Sequence, residues 1–211
     1  CRGSGIDLHC QPSSMGMKLL VCVTQVASVD DGFEIDGLDV DSRYLSVGLN
    51  EWDEYALEAA VRIAEARDDA EVVTATIGPA DAEDTIRQTL ARGADRAIRV
   101  WDDAIDEAGL LLPRTKGTLL AAVAEDEQPD LVFTGAQSAD HAFGATGVTL
   151  ASALEWGWAT VVNDLELDTE VAHVTRELEG QVEELTDVEL PAVLSIQTGI
   201  NEPRYASLRD I

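Results

Sequence analysis

Lysine is almost absent from this chain of 211 residues: Lys18 and Lys116 stand against 41 aspartates and glutamates, and the formal net charge is -27. Such a field repels phosphate backbones and anionic lipid headgroups, so no nucleic-acid or membrane-surface partner is expected. One phosphate held by backbone N–H groups is still compatible with it, because helix N-termini bind anions locally. No apolar run approaches the roughly 18 residues of a membrane span, so no membrane insertion is expected. Cysteine is limited to Cys1, Cys10 and Cys22. That number builds no disulfide framework, and no Cys/His group has metal-ligand spacing. The sequence also has no G-x-x-x-x-G-K-[ST] loop, no G-x-G-x-x-G after its first apolar run, and no G-x-S-x-G elbow. Its carboxylate pairs read as solvated surface, and no catalytic residue is assigned.

What is present suits a folded chain: 45% hydrophobic residues and 26% charged. The acids are dispersed, in Asp30-Asp31, Asp68-Asp69, Asp102-Asp103 and Glu125-Asp126-Glu127, rather than gathered in one tail. A dispersed acidic coat is expected of a halophilic, cytoplasmic protein, where a Debye length of roughly 3 Å at 1 M salt screens self-repulsion. Residues 1–16 have no periodicity and no apolar signal core, and read as a vector-derived leader before a start at Met17. Residues 17–211 read as a single domain.

Leu19 to Val23, Val72 to Ile77 and Leu131 to Thr134 are continuous apolar runs, the pattern of strands buried on both faces of a parallel sheet. Ala97 to Val100 is a shorter one. Between them lie helical segments. The first is capped by Asn50 and carries Tyr55, Leu57, Ala60, Val61, Ile63 and Ala64 on one face. A second follows Pro79 with Ile86 and Leu90 inward and stops at Gly93. A third opens at Pro113 with Leu119, Leu120 and Val123, and a fourth runs through Leu154. Residues 28–48 are a polar excursion, a small hairpin or long loop. Val171 to Val188 alternates around Glu179-Gly180 as an antiparallel hairpin, and Leu190 to Ile196 returns as a strand. This alternation specifies an α/β fold, a three-layer parallel-sheet, Rossmann-like domain with a C-terminal antiparallel hairpin.

Ligands of open α/β sheets bind beyond the carboxyl ends of the strands. The end after Thr134 leads through Gly135 and Gln137 into Gly144, Ala145, Thr146 and Gly147. Glycines at a helix start let backbone N–H groups approach a phosphate, and Thr146 adds a hydroxyl.

The C-terminal third is more specific. Val174 to Gly180, Leu190 to Ser195 and Gly199-Ile200-Asn201-Glu202-Pro203-Arg204-Tyr205-Ala206-Ser207-Leu208 resemble the electron-transfer flavoprotein β subunit. The likeness extends over residues 17–211, through Val21-Cys22-Val23, Leu49-Asn50, Ile77-Gly78-Pro79, Arg92-Gly93-Ala94-Asp95-Arg96-Ala97 and Gly135-x-Gln137-x-x-Asp140. The resemblance implies an adenine nucleotide α-hydrolase-like fold and an electron carrier rather than an enzyme. Its implied cofactors are a structural AMP and an FAD shared with an α subunit. The implied partners are that α subunit, acyl-CoA or related dehydrogenases of fatty acid oxidation, and a quinone oxidoreductase. The AMP contacts would fall on Cys22, Asn50, Glu51, Trp52, Asp53, Ile77, Gly135, Gln137, Asp140, Gly144, Ala145 and Thr146. Trp52 also matches an aromatic beside the flavin. Glu177 matches an acid that touches the α subunit's mobile domain, and Leu208 the anchor that docks dehydrogenases.

The chain departs from the family pattern at several positions. Thr24 stands where lysine is frequent, Glu51 where proline is usual, Val29 where some relatives have an aromatic, and Gly144-Ala145 where amide side chains occur. The hairpin carries Gln181 where glycine or an acid is common, and the sequence stops at Ile211, before the family's basic segment. Two alternatives stand beside the main reading. One is a bifurcating type with a second FAD in place of AMP; the start Pro113-Arg114-Thr115-Lys116 lacks the Ser-Asp-Thr cluster of that type. The other is a free-standing ATP-binding stress-type module; the region after Ile196 lacks its glycine-rich phosphate loop.

Overall fold

The computed structural model describes residues 16–206 apart from 38, 68 and 181. In chain order its elements are β1 (Lys18–Cys22), β2 (Gln25–Val29), β3 (Ile35–Asp36), β4 (Asp39–Val40), β5 (Leu45–Leu49), α1 (Glu51–Glu65), β6 (Glu71–Ile77), α2 (Glu83–Ala91) and β7 (Arg96–Val100). They continue with α3 (Asp103–Ala108), α4 (Pro113–Glu127), β8 (Leu131–Gly135), α5 (Thr146–Leu154), β9 (Gly157–Leu167), β10 (Val171–Leu178), β11 (Val182–Glu189) and β12 (Ala192–Ile196).

Strands of this kind are apolar along their whole length because both faces are covered. In β1, Leu19 and Val21 face α1 while Leu20 and Cys22 face α4 and α5. The same division places Leu131 and Phe133 of β8 on the α1 side and Val132 on the other. On the first face α1 contributes Ala56, Leu57, Ala60 and Val61; on the second, Leu120, Ala121 and Ala124 of α4 meet Leu150 and Ala151 of α5. Three layers result, with the two cores separated by the sheet.

The eight-stranded sheet has the order β11-β10-β9-β12-β8-β1-β6-β7. Strands β9, β12, β8, β1, β6 and β7 are parallel, and β10 and β11 extend the sheet antiparallel as the expected hairpin, with Leu178 opposite Val182. From β1 the chain builds outward through β6 and β7, then crosses back to place β8 on the opposite side of β1. The switch point therefore lies between β1 and β8, where a crevice opens at the strands' carboxyl ends. Residues 28–48 fold as a two-stranded ribbon, β2 with β5, carrying the short β3–β4 pair.

Two local expectations change. Leu90 is 41% exposed, while Thr85 and Thr89 are buried. The inward face of α2 is polar because Thr89 Oγ1 hydrogen-bonds Thr74 Oγ1 of β6 at 3.1 Å and donates to Ile86 O. Asn50 occupies the N-cap position of α1 without a side-chain cap bond, since its amide is engaged elsewhere. Strand β9, eleven residues long, occupies the segment where the helix-strand alternation ends.

Candidate functional site

At the switch point a cleft of about 690 Å³, counted to its open mouth, is bounded by the ends of β1, β6 and β8 and the starts of α4 and α5. Its floor includes Cys22 and Thr134, which are register partners on β1 and β8. Its rim is the loop from Gly135 to Thr146.

That rim is held by the first turn of α1. The Asn50 amide donates through Nδ2 to Gln137 O at 2.9 Å and accepts through Oδ1 from Ala139 N at 3.1 Å. One turn on, the Asp53 carboxylate accepts from Thr24 N at 2.7 Å and Gly135 N at 3.0 Å. Both side chains leave the helix to satisfy partly buried N–H and C=O groups at and beyond the strand ends. Burial pushes the Asp53 carboxyl up to about 7, against hydrogen bonds from Thr24 N–H, Asn50 and Gly135 N–H and the charge of Lys116. The Cys22 thiol is driven well above its usual range, first by burial and then by the Asp53 charge. It is no nucleophile at neutral pH.

Small residues allow these approaches. A Cβ on Gly135 would stand 2.7 Å from Trp52 Cβ, and one on Gly147 would stand 2.7 Å from Thr134 Oγ1. Gly144 has φ +59°, a left-handed conformation that glycine adopts without cost. Helix α5 has no side-chain cap, so the first-turn N–H groups beside the cleft have no partner within the helix. Thr134 Oγ1 is buried with no hydrogen-bond partner. At the mouth Phe143 stacks on His141, with ring centroids 5.8 Å apart.

Of the residues singled out in the sequence, Cys22, Ile77, Gly135, Gln137, Gly144, Ala145 and Thr146 line this cleft. Asn50 and Asp53 stand behind it. Glu51 is exposed and Asp140 pairs with His141 at 2.9 Å; neither is among the lining residues. Trp52 donates from Nε1 to Gln197 Oε1 at 3.1 Å. Glu177 is exposed on β10 opposite Glu183, and Leu208 lies outside the described residues. Among the lining residues that escaped the sequence reading are Thr134, which looks like one more strand residue, and Lys116, whose signal was the rarity of its type. Among the described residues no group of three His, Cys, Asp or Glu is arranged to hold a metal, and no helix is long and apolar enough to cross a membrane.

Comparison with known proteins places this geometry. Residues 40–210 match the model of the electron transfer flavoprotein domain. The chain is 46% identical over 200 residues to the electron transfer flavoprotein subunit beta of Methylophilus methylotrophus, covering 92% of this chain and 75% of that protein. It is 40% identical over 201 residues to the mitochondrial subunit beta of Arabidopsis thaliana, covering 92% of this chain and 77% of that protein. The Bos taurus subunit beta is 39% identical over 163 residues, 77% of this chain and 63% of that protein. A parallel sheet with a switch-point cleft and an antiparallel hairpin, together with these matches, makes the chain a member of the electron transfer flavoprotein β-subunit family.

Proposed function

We propose that the chain binds AMP in the switch-point cleft as a structural ligand, pairs with an electron transfer flavoprotein α subunit, and helps to complete that subunit's FAD site. In this reading it carries no catalytic residue; electrons pass from acyl-CoA or related dehydrogenases through the bound flavin to a quinone oxidoreductase. The observation that carries the AMP assignment is the buried, unpartnered hydroxyl of Thr134 in the cleft beside the uncapped start of α5. Those are hydrogen-bond donors awaiting an acceptor, and a phosphate supplies several oxygens. Gly144 keeps the rim free of a side chain, and Ile77, Ala75 and Leu120 offer an apolar wall.

The α subunit has a fitting surface. Ala27, Val29, Leu45 and Val47 share one face of the β2–β5 ribbon, and the last three are 46%, 40% and 60% exposed. Contiguous exposed apolar residues of this kind mark interaction sites. Glu177 contacts the α subunit's mobile domain in this reading. The segment toward Leu208 docks dehydrogenases: Arg204 Nε bonds the buried Glu58 at 2.7 Å and Arg204 Nη1 bonds Glu65 at 2.7 Å, which fixes where that segment leaves α1.

FAD, when bound, would supply the electron-carrying chemistry, while Asn50 and Asp53 of this chain hold the strand ends and the rim of the cleft in place. The test is acid extraction and chromatography of nucleotides from the chain purified alone and with its α subunit. AMP from the chain alone, and AMP plus FAD from the pair, are expected. FAD without AMP from the chain alone would instead establish the second-flavin reading.

A further inference from the structure

An acidic chain spends its cations on its carboxylates. Arg62, Arg92 and Arg176 each bind one, and Arg96 and Arg204 each bind two. Lys18 is consumed at the far end of β1, where its ammonium donates to Glu127 O at 2.8 Å and pairs with Glu127 Oε2 at 3.2 Å. Arg67, Arg99, Arg114 and Lys116 make no salt bridge among the described residues, and Lys116 differs from the other three in its place. It is the one charged side chain lining the cleft, and among the described residues no carboxylate lies within 4.0 Å of its ammonium. Its charge acts on the buried Asp53 carboxylate from beyond ion-pair distance, and an anion bound in the cleft would give it a closer partner in a chain of net charge -27.

Its location is set by close packing of two helix starts. Lys116 is in the first turn of α4, and a Cβ on the next residue, Gly117, would stand 2.6 Å from Thr149 Oγ1 of α5. Thr149 Oγ1 in turn donates to Pro113 O at 2.9 Å. The two helix starts are therefore bolted together, and Lys116 borders the same cleft as the N–H groups of the α5 start. Thr134, 3% exposed and with its hydroxyl unpartnered, faces that cleft from the sheet. Gly144 and Ala145 contribute no side-chain donor to it. The neutral donors can orient a phosphate but cannot offset the repulsion that a dianion meets in this protein's field.

We propose that Lys116 is the charge-pairing residue for the phosphate of the cleft's ligand, and that it makes the cleft select nucleoside monophosphates over the neutral nucleoside. The inference rests on the nucleotide-binding reading above and adds to it a residue and a basis of selectivity. Removing one charged hydrogen-bond donor from a phosphate weakens binding roughly ten- to a hundredfold.

The experiment is equilibrium dialysis of the nucleotide-free full chain with radiolabelled AMP and, separately, adenosine. The wild type, Lys116→Gln and Lys116→Arg are compared. The wild type is expected to prefer AMP at least about tenfold. Lys116→Gln should lose that preference while binding adenosine as before, and Lys116→Arg should restore it. An unchanged AMP-to-adenosine ratio in Lys116→Gln overturns the proposal and leaves the AMP site standing. Equal loss of both ligands overturns it too, because a residue that only supports the cleft would affect both. A wild type that binds neither overturns the nucleotide reading itself, and this inference with it.

Discussion

The buried carboxylate of Asp53 makes a pH-dependent demand on the fold that can be separated from every other titration by one substitution. Asp53 is 4% exposed and its carboxyl is pushed up to about 7 from 3.8. A carboxyl raised on folding binds more protons in the folded chain than in the unfolded chain between those two values. Stability then falls as pH rises through that window and is level above it. Between about pH 5 and about pH 8 the loss works out at about 2–3 kcal/mol, from 1.36 kcal/mol per unit weighted by the two titration curves.

Asp53→Asn removes this dependence and keeps the shape. The amide oxygen can accept from Thr24 N–H or Gly135 N–H, but its NH₂ must then face the other donor. The protonated wild-type carboxyl likewise presents one acceptor and one donor, so at about pH 5 both chains carry the same unsatisfied N–H, a cost of about 1–3 kcal/mol. The variant should therefore be near neutral or slightly destabilised at about pH 5, and more stable than the wild type by about 1–3 kcal/mol at about pH 8. Urea titrations of the nucleotide-free chain, followed by tryptophan emission, measure both differences. All other titratable groups, including His173 between Asp168 and Asp187, are common to the two proteins and cancel. A difference in stability that stays within about 0.5 kcal/mol across that range would refute the buried-charge account.

Gly147→Ala drives a methyl group against Thr134 Oγ1, 2.7 Å away. It should cost about 1–3 kcal/mol by overpacking and weaken AMP binding. Thermal melting checks this, and Thr134→Ala in the same chain should recover the stability. Trp52→Ala in the heterodimer should raise flavin emission if the indole borders the FAD; unchanged emission would leave Trp52 as the hydrogen-bonded support of Gln197. Leu208→Ala should slow electron transfer from a dehydrogenase about ten- to a hundredfold, the worth of burying one leucine at an interface. Its melting temperature and AMP content should not change, and a lowered melting temperature with normal transfer would make Leu208 a packing residue.

The sheet could be read from sequence because two-sided burial leaves an unbroken apolar signature. Leu19 to Val23 and Leu131 to Thr134 needed no periodicity to be recognised as interior strands. Strand β9 left a weaker trace. It mixes exposed Gly157 and Trp158 with buried Ala159 and Val162 and changes register beside both neighbours, with Val161 at φ +58°. A bulged strand has no constant period to detect. In helix α2 the inward place expected of Leu90 is taken by Thr89, which buries itself by bonding a strand hydroxyl and a helix carbonyl, whereas hydropathy ranks Leu90 above it.

The cleft was legible only as far as chain connectivity dictates position. Residues that end a strand must stand at its carboxyl end, so Cys22, Ile77 and Gly135 were bound to border the crevice. Side chains on the same loops obey a different rule: Asp140 turns to His141, and Asn50 abandons its own helix to hold Ala139. Such choices follow from which backbone groups remain unsatisfied after folding. Lys116 illustrates the opposite case, in which composition held the clue. With two lysines in the chain and Lys18 engaged by Glu127 at the far end of β1, the second could be traced to its place only after α4 was seen to begin at the cleft. Scarcity of a charge marks a residue as worth locating; the packing of Gly117 on Thr149 gives it an address.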